Sequence, residues 1–202
     1  MTSFFAQRYL VLTEPEIVRE LYPERVLNWL AALTPVLTID DQGDPIAWVY
    51  DMSAVHVPAT VLDPDWHAFG WENGLEMVAA DVPATGAAGS KVRVQMLLQA
   101  ETEVDAMVTL SLVDADGTIV ASGEKPVTVG TGAARMPMTI TLPAGMSNGP
   151  YRVVIAVADV AGGEVLAATD LQTGDAVEAP LVIGTIQIGG EDDAAPTESG
   201  EA

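Results

Sequence analysis

Between Lys91 and Gln99, Val92, Val94, Met96 and Leu98 alternate with Lys91, Arg93, Gln95 and Gln99, the two-residue period of a strand with one buried and one wet face. A second run follows the same rule: Val108, Leu110 and Leu112 alternate with Thr109 and Ser111. Asp114-Ala-Asp-Gly117 then turns the chain into Thr118–Ser122. From Leu75 onward the pattern predicts strands at 75–81, 91–99, 106–114, 118–122, 136–142, 150–159, 164–169 and 181–188, each bounded by turn residues. Tyr151, Val153, Ile155 and Val157 share one face, which places that strand centrally. Short strands without room for helical crossovers predict an antiparallel β-sandwich, Ig-like or jelly-roll-like, over residues 69–189.

The pattern differs upstream. Arg8–Leu12 is a short apolar run, and Thr13-Glu-Pro-Glu16 after it matches a capping box with proline in the first helical turn. Ile17, Val18, Leu21, Val26, Leu27, Leu30 and Leu33 fall near helical spacing, and Pro23 should split or kink the helix. Residues 34–39 and 46–51 read as strands with Asp40–Pro45 as the turn. The expected unit, residues 1–52, is a β-α-β-β arrangement, too small to be stable without support. Residues 53–68, with Pro58, Pro64 and the Asp63-Pro-Asp65 turn, read as a linker, and 190–202 as a disordered acidic tail.

Composition narrows the class further. With 202 residues, 49% of them hydrophobic, the chain can fill a sizeable core. Twenty-nine acidic residues against eight basic ones give a formal charge of −21, which sets aside nucleic acid and anionic membrane surfaces as partners. Cys is absent, so disulfides, thiol catalysis and thiolate metal sites are excluded. No window reaches the ~18 consecutive apolar residues of a membrane span, and Met1–Arg8 lacks the basic and apolar regions of a signal peptide. Taken as a complete product, the chain would be cytoplasmic.

Several stretches, taken in order, resemble a family. Phe69-Gly-Trp-Glu-Asn-Gly-Leu75, the Leu112–Gly117 turn, Gly149-Pro-Tyr-Arg-Val153 and Gly162-Gly-Glu-Val-Leu166 look like the β-sandwich at the extracytoplasmic C-terminal end of bacterial multi-pass membrane glycosyltransferases similar to protein O-mannosyltransferases, of the dolichyl-phosphate-mannose type. Tyr9–Leu12, Leu21-Tyr-Pro23, Leu33-Thr-Pro35 and Ile46–Asp51 are similar to the short segment that follows the last membrane helix in those proteins. The resemblance covers most of residues 8–188. It implies an extracytoplasmic, membrane-attached parent whose catalytic carboxylates lie elsewhere, so no catalytic residue carries over. The implied partners are carbohydrate, a glycosylation acceptor, or the membrane domain of the same protein. No cofactor is implied.

Candidate chemistry is sparse. Trp66, His67, Phe69 and Trp71 concentrate aromatic surface beside Asp63, Asp65 and Glu72, a composition suited to stacking on sugar rings; Trp66, His67 and Trp71 are the candidate ligand contacts. Packing between the small unit and the sandwich explains the same rings without a ligand, and is the favoured reading. Asp114 and Asp116 are candidate Ca²⁺ ligands, but a hairpin turn requires the same residues with no metal. Asp40, Asp41 and Asp44 pose the same choice. His56 and His67 lack the helical or hairpin spacing of a two-histidine metal site. No Gly-x-Ser-x-Gly elbow or phosphate-binding glycine loop is present. The expectation is a non-catalytic accessory module of a glycosyltransferase-like protein. The alternative is a self-standing Ig-like structural, adhesion or carbohydrate-binding module.

Overall fold

The computed structural model describes residues 9–18, 21–52, 55–62, 67–161 and 163–189. It begins with β1 (Tyr9–Thr13), α1 (Glu14–Val18), α2 (Glu24–Ala31), β2 (Leu37–Asp41) and β3 (Asp44–Asp51). The β-α-β-β order is as expected. Glu16 reaches back to the start of α1, its Oε2 accepting from the Thr13 N–H at 2.8 Å and the Thr13 hydroxyl at 2.9 Å. The Glu half of the capping box therefore forms, while the hydroxyl donates to that carboxylate instead of accepting from the backbone. Pro23 separates the helices, and its carbonyl accepts from the N–H groups of Val26 and Leu27 to open α2. Val26 and Leu30 form the buried stripe of α2.

β1, β3 and β2 form an antiparallel sheet with β3 in the middle. The connection between β2 and β3 is tighter than expected: Gln42 and Gly43, at φ 52° and 98°, make a two-residue turn of the kind that matches strand twist. Leu10 and Leu12 of β1 oppose Tyr50 and Trp48 of β3 on the inward face. Burial raises the Tyr50 phenol above its ordinary range; Tyr22 is raised by burial first and by the Glu16 carboxylate second.

The remainder is the expected mainly β, antiparallel sandwich. One sheet contains, in chain order, β4 (Phe69–Trp71), β5 (Leu75–Asp81), β7 (Lys91–Ala100), β10 (Gly132–Thr141), β12 (Ala168–Asp170) and β13 (Ala176–Val177), in the spatial order β10-β7-β5-β4-β12-β13. The other contains β6 (Thr85–Gly86), β8 (Val104–Val113), β9 (Ile119–Val129), β11 (Gly149–Ala158) and β14 (Leu181–Ile188), in the order β6-β14-β11-β8-β9. Their inner faces merge in one cluster, with Val92, Val94, Met96 and Leu98 meeting Leu110, Leu112, Val153, Ile155 and Ile186. As the sequence predicts, β11 is central.

Several details depart from expectation or add to it. β6 pairs with β14 in parallel, an exception within an otherwise antiparallel architecture. The segment expected at 164–169 shortens to β12 plus an isolated bridge between Val165 and Ala158. β9 runs on to Val129, and at Gly123 the two sheets draw together: a Cβ there would lie 2.9 Å from the Thr139 carbonyl oxygen, a distance only glycine allows. Finally, Tyr151 donates its hydroxyl hydrogen to the Ser147 carbonyl at 2.9 Å, the tyrosine corner found in Greek-key sandwiches.

The placement of the small unit corrects the reading of β7. Gln99, assigned by alternation to a wet face, is fully buried. β5 and β7 pair with a bulge, Met77 opposite Leu98 and Ala79 opposite Leu97, so Val78 is extra. Val78, Ala79 and Leu97 join Leu10, Leu12, Val26, Leu30, Tyr50, Val57, Val61, Leu62 and Ala68 in a second core cluster. The outer face of the six-stranded sheet is thus covered by the α+β unit and by residues expected to be a linker. Arg25 on α2 helps hold this cover, its Nε donating to the Val61 carbonyl at 3.3 Å.

Candidate functional site

Gln99 and Glu76 lie directly opposite on β7 and β5, under the segment 55–62. In a bare sheet both side chains would face water. Here the Gln99 amide is enclosed and binds the backbone of Val57 in both directions: Oε1 accepts from the Val57 N–H at 2.9 Å, and Nε2 donates to the Val57 carbonyl at 3.0 Å. Nε2 also donates to Glu76 Oε2 at 2.7 Å. An amide nitrogen has two hydrogens, and these two acceptors use both. His56 Nε2, 3.1 Å from Gln99 Nε2 and 3.1 Å from Glu76 Oε2, therefore donates to the carboxylate, which assigns a hydrogen to Nε2 of that imidazole.

The His56 and Glu76 side chains keep 39% and 27% of their surface open, so solvent reaches one side of the cluster. A histidine–carboxylate pair can move protons; here Glu76 accepts from both His56 and Gln99, and the two remaining bonds of Gln99 hold Val57 against the sheet. Gln99 supplies to an extended linker residue the donor and acceptor that a neighbouring strand would otherwise provide. Sequence reasoning missed this cluster. Its signal was Leu97 beside Leu98, an apolar residue on the nominally wet face two positions before Gln99.

The predicted site residues that the structure describes do not converge. Trp66 lies outside the described residues. His67 is exposed, its ring parallel to that of Phe69 with centroids 6.3 Å apart. Phe69 and Trp71 are 5% and 4% exposed and sit inside the sandwich core, in neither the expected seam nor a surface platform. So enclosed, the Trp71 ring packs rather than offering a face to a sugar, and its Nε1 has no hydrogen-bond partner among the described residues. Asp114 and Asp116 belong to a hairpin turn: the Asp114 carboxylate accepts from the N–H groups of Asp116 at 3.0 Å and Thr118 at 2.8 Å, and Gly117 takes φ 86°. Asp40, Asp41 and Asp44 flank the tight turn between β2 and β3. Among the described residues no three of His, Asp and Glu gather closely enough to hold a metal ion, and no helix is long and apolar enough to cross a membrane.

No family model matches the chain, and no curated protein does. Among solved structures it is similar to a β-glucuronidase from glycoside hydrolase family 2, with 18% identity over 46% of this chain and 11% of that one at a TM-score of 0.36. It is also similar to the C-terminal domain of wzt, with 14% identity, coverage of 66% and 83%, and a TM-score of 0.39. A third neighbour is the CARDB domain of a Pyrococcus furiosus protein, in complex with di-metal ions, with 10% identity, coverage of 67% and 99%, and a TM-score of 0.37. The chain spans 11% of the length of the glucuronidase.

Proposed function

We propose that this chain is a non-catalytic accessory module of a larger, membrane-attached and extracytoplasmic glycosyltransferase-like protein, in which it braces the membrane domain or positions glycan or acceptor. The observation that carries the proposal is the clasp of Gln99 on Val57, whose buried hydrogen bonds fix the connecting segment to the sandwich within the apolar cluster that the small unit shares. Two units joined in this way transmit position, as a brace must. The parent class rests on the order of motifs along residues 8–188. In such a protein the α+β unit stands between the membrane and the sandwich.

A second reading, a carbohydrate-binding module, is favoured by one feature: His67 is exposed with its ring parallel to Phe69, next in sequence to Trp66. Titrating oligosaccharides against tryptophan fluorescence separates the two. A flat response in the wild type, with His67→Ala and Trp66→Ala changing thermal stability alone, leaves the brace. A saturable response lost in those variants supports sugar binding. Glycosyl transfer or glycoside hydrolysis by the isolated chain would overturn both readings.

A further inference from the structure

We infer that the outer face of the β1-β3-β2 sheet is a docking surface for a polypeptide with an apolar centre and a basic rim. The inference rests on the accessory-module reading and says which face makes the contact. Val11, Val49 and Leu37 oppose one another across the three strands and therefore share one face, the one turned away from the inward Leu10, Leu12, Trp48 and Tyr50. Ile39 continues the row opposite Ala47. On the two outer strands Val11 is 49% exposed, Leu37 54% and Ile39 43%; on the middle strand Val49 is half-buried and Ala47 buried, whereas apolar positions of the sandwich sheets are largely covered. Exposed aliphatic side chains gathered on one face, flanking a half-buried central valine, form a patch that marks an interaction surface, where scattered single residues would not.

Charge selects the occupant. The face ends at the hairpin tip that bears Asp40, Asp41 and Asp44, all exposed, with Asp41 directly across from Asp44. Like charges directly opposite destabilise a strand pair, and among the described residues no basic side chain forms an ion pair with these three. In the described part of the small unit Arg25 is the one cation, and its Nε is engaged with the Val61 carbonyl on the inward side. A second copy would bring the same carboxylates and a further formal charge of −21. An anionic lipid surface is opposed in the same way. A surface rimmed by Lys or Arg around aliphatic side chains complements both the row and the tip.

The test uses a labelled peptide of alternating leucine and lysine, with fluorescence anisotropy at 50 and 300 mM NaCl. The full chain should bind it saturably at low salt and not bind the matching leucine–glutamate peptide. Val11→Glu with Leu37→Glu should weaken binding at least tenfold; Asp40→Asn, Asp41→Asn and Asp44→Asn together should weaken it roughly tenfold and remove most of the salt dependence. If the double variant fails to fold by circular dichroism, Leu37→Glu alone, on an exposed edge strand, serves instead. Absence of peptide binding overturns the inference, as does equal binding by wild type and both variants, which would reflect diffuse charge. Wild-type dimers in sedimentation that Leu37→Glu dissociates would assign the face to a second copy. Sedimentation with phosphatidylcholine vesicles, lost in the same variant, would assign it to lipid. None of these outcomes depends on the sugar titration or the transfer assay, so this inference and the broader reading fail separately.

Discussion

Gln99 and Val57 are 42 positions apart, yet the side-chain amide of one exchanges two hydrogen bonds with the backbone of the other. Replacing Gln99 with Leu leaves the N–H and carbonyl of Val57 buried without partners, and removes a donor from Glu76. The expected cost is about 2–4 kcal/mol, mostly desolvation that hydrogen bonding no longer offsets. Denaturant unfolding measures it. A loss under about 0.5 kcal/mol would mean that water replaces the amide and that the clasp is not structural.

Leu97 lies in the seam cluster beside this clasp at 8% exposure. Leu97→Ala should destabilise by about 2–4 kcal/mol through lost burial and a cavity. It should also make the segment 55–62 susceptible to limited proteolysis before the sandwich strands are cut. Simultaneous cleavage throughout the chain would show that the seam has no independent opening.

Gly123 of β9 approaches Thr139 of β10 too closely for any side chain. Gly123→Ala places a methyl group 2.9 Å from a backbone carbonyl oxygen, which cannot rotate away, and should cost about 1–3 kcal/mol. The same change at Gly130, where a Cβ would meet nothing within 4 Å, provides the control.

Burial raises the phenols of Tyr22 and Tyr50 above the ordinary phenol range, with the Glu16 carboxylate adding to the effect at Tyr22. The native state therefore keeps protons that the unfolded chain releases first. Their contribution to stability is complete below about pH 10 and is lost as pH rises through the higher native values. The melting temperature should fall over that window, and Tyr50→Phe should flatten the fall. An unchanged slope in that variant would rule out Tyr50 as a source.

Asp114 serves its turn through two backbone N–H groups. Asp114→Ala should cost about 0.5–2 kcal/mol by analogy with a lost cap, and neither Ca²⁺ nor a chelator should shift the melting temperature of the wild type. A calcium-dependent rise abolished in Asp114→Ala would restore the metal reading of this turn.

The sandwich strands were legible because their burial is one-sided and alternates with period two, as in Tyr151-Arg-Val153 and Lys91-Val-Arg-Val94. The small unit was legible at Thr13, Pro23 and the strand pair because local chemistry governs capping and chain breaking. What escaped was the relation between the units. Periodicity reports that one face of β7 is apolar, and says nothing of what covers the other. Leu97 and Leu98 point to opposite faces of β7 by strand alternation, yet both are buried because each face is covered by a different partner, which a single strand cannot reveal. Trp71 was misplaced for a related reason: its ring suits a seam, a platform or a core equally well, and only the pairing of β4 with β5 and β12 decides.

The strand order also determines where this chain can be drawn into fibrils. β6 and β13, at the ends of the two large sheets, are two residues long and offer almost no unpaired backbone to template a foreign strand. At the opposite ends Gly123 lets β9 and β10 shelter one another. The small sheet ends in a five-residue strand on each side, β1 with exposed Tyr9 and Val11 and β2 with exposed Leu37 and Ile39, and only the carboxylates of Asp40 and Asp41 guard the second. Once salt screens the carboxylates at its tip, polymerisation should therefore begin at this sheet, and Thr38→Lys should lengthen the lag phase without altering the melt.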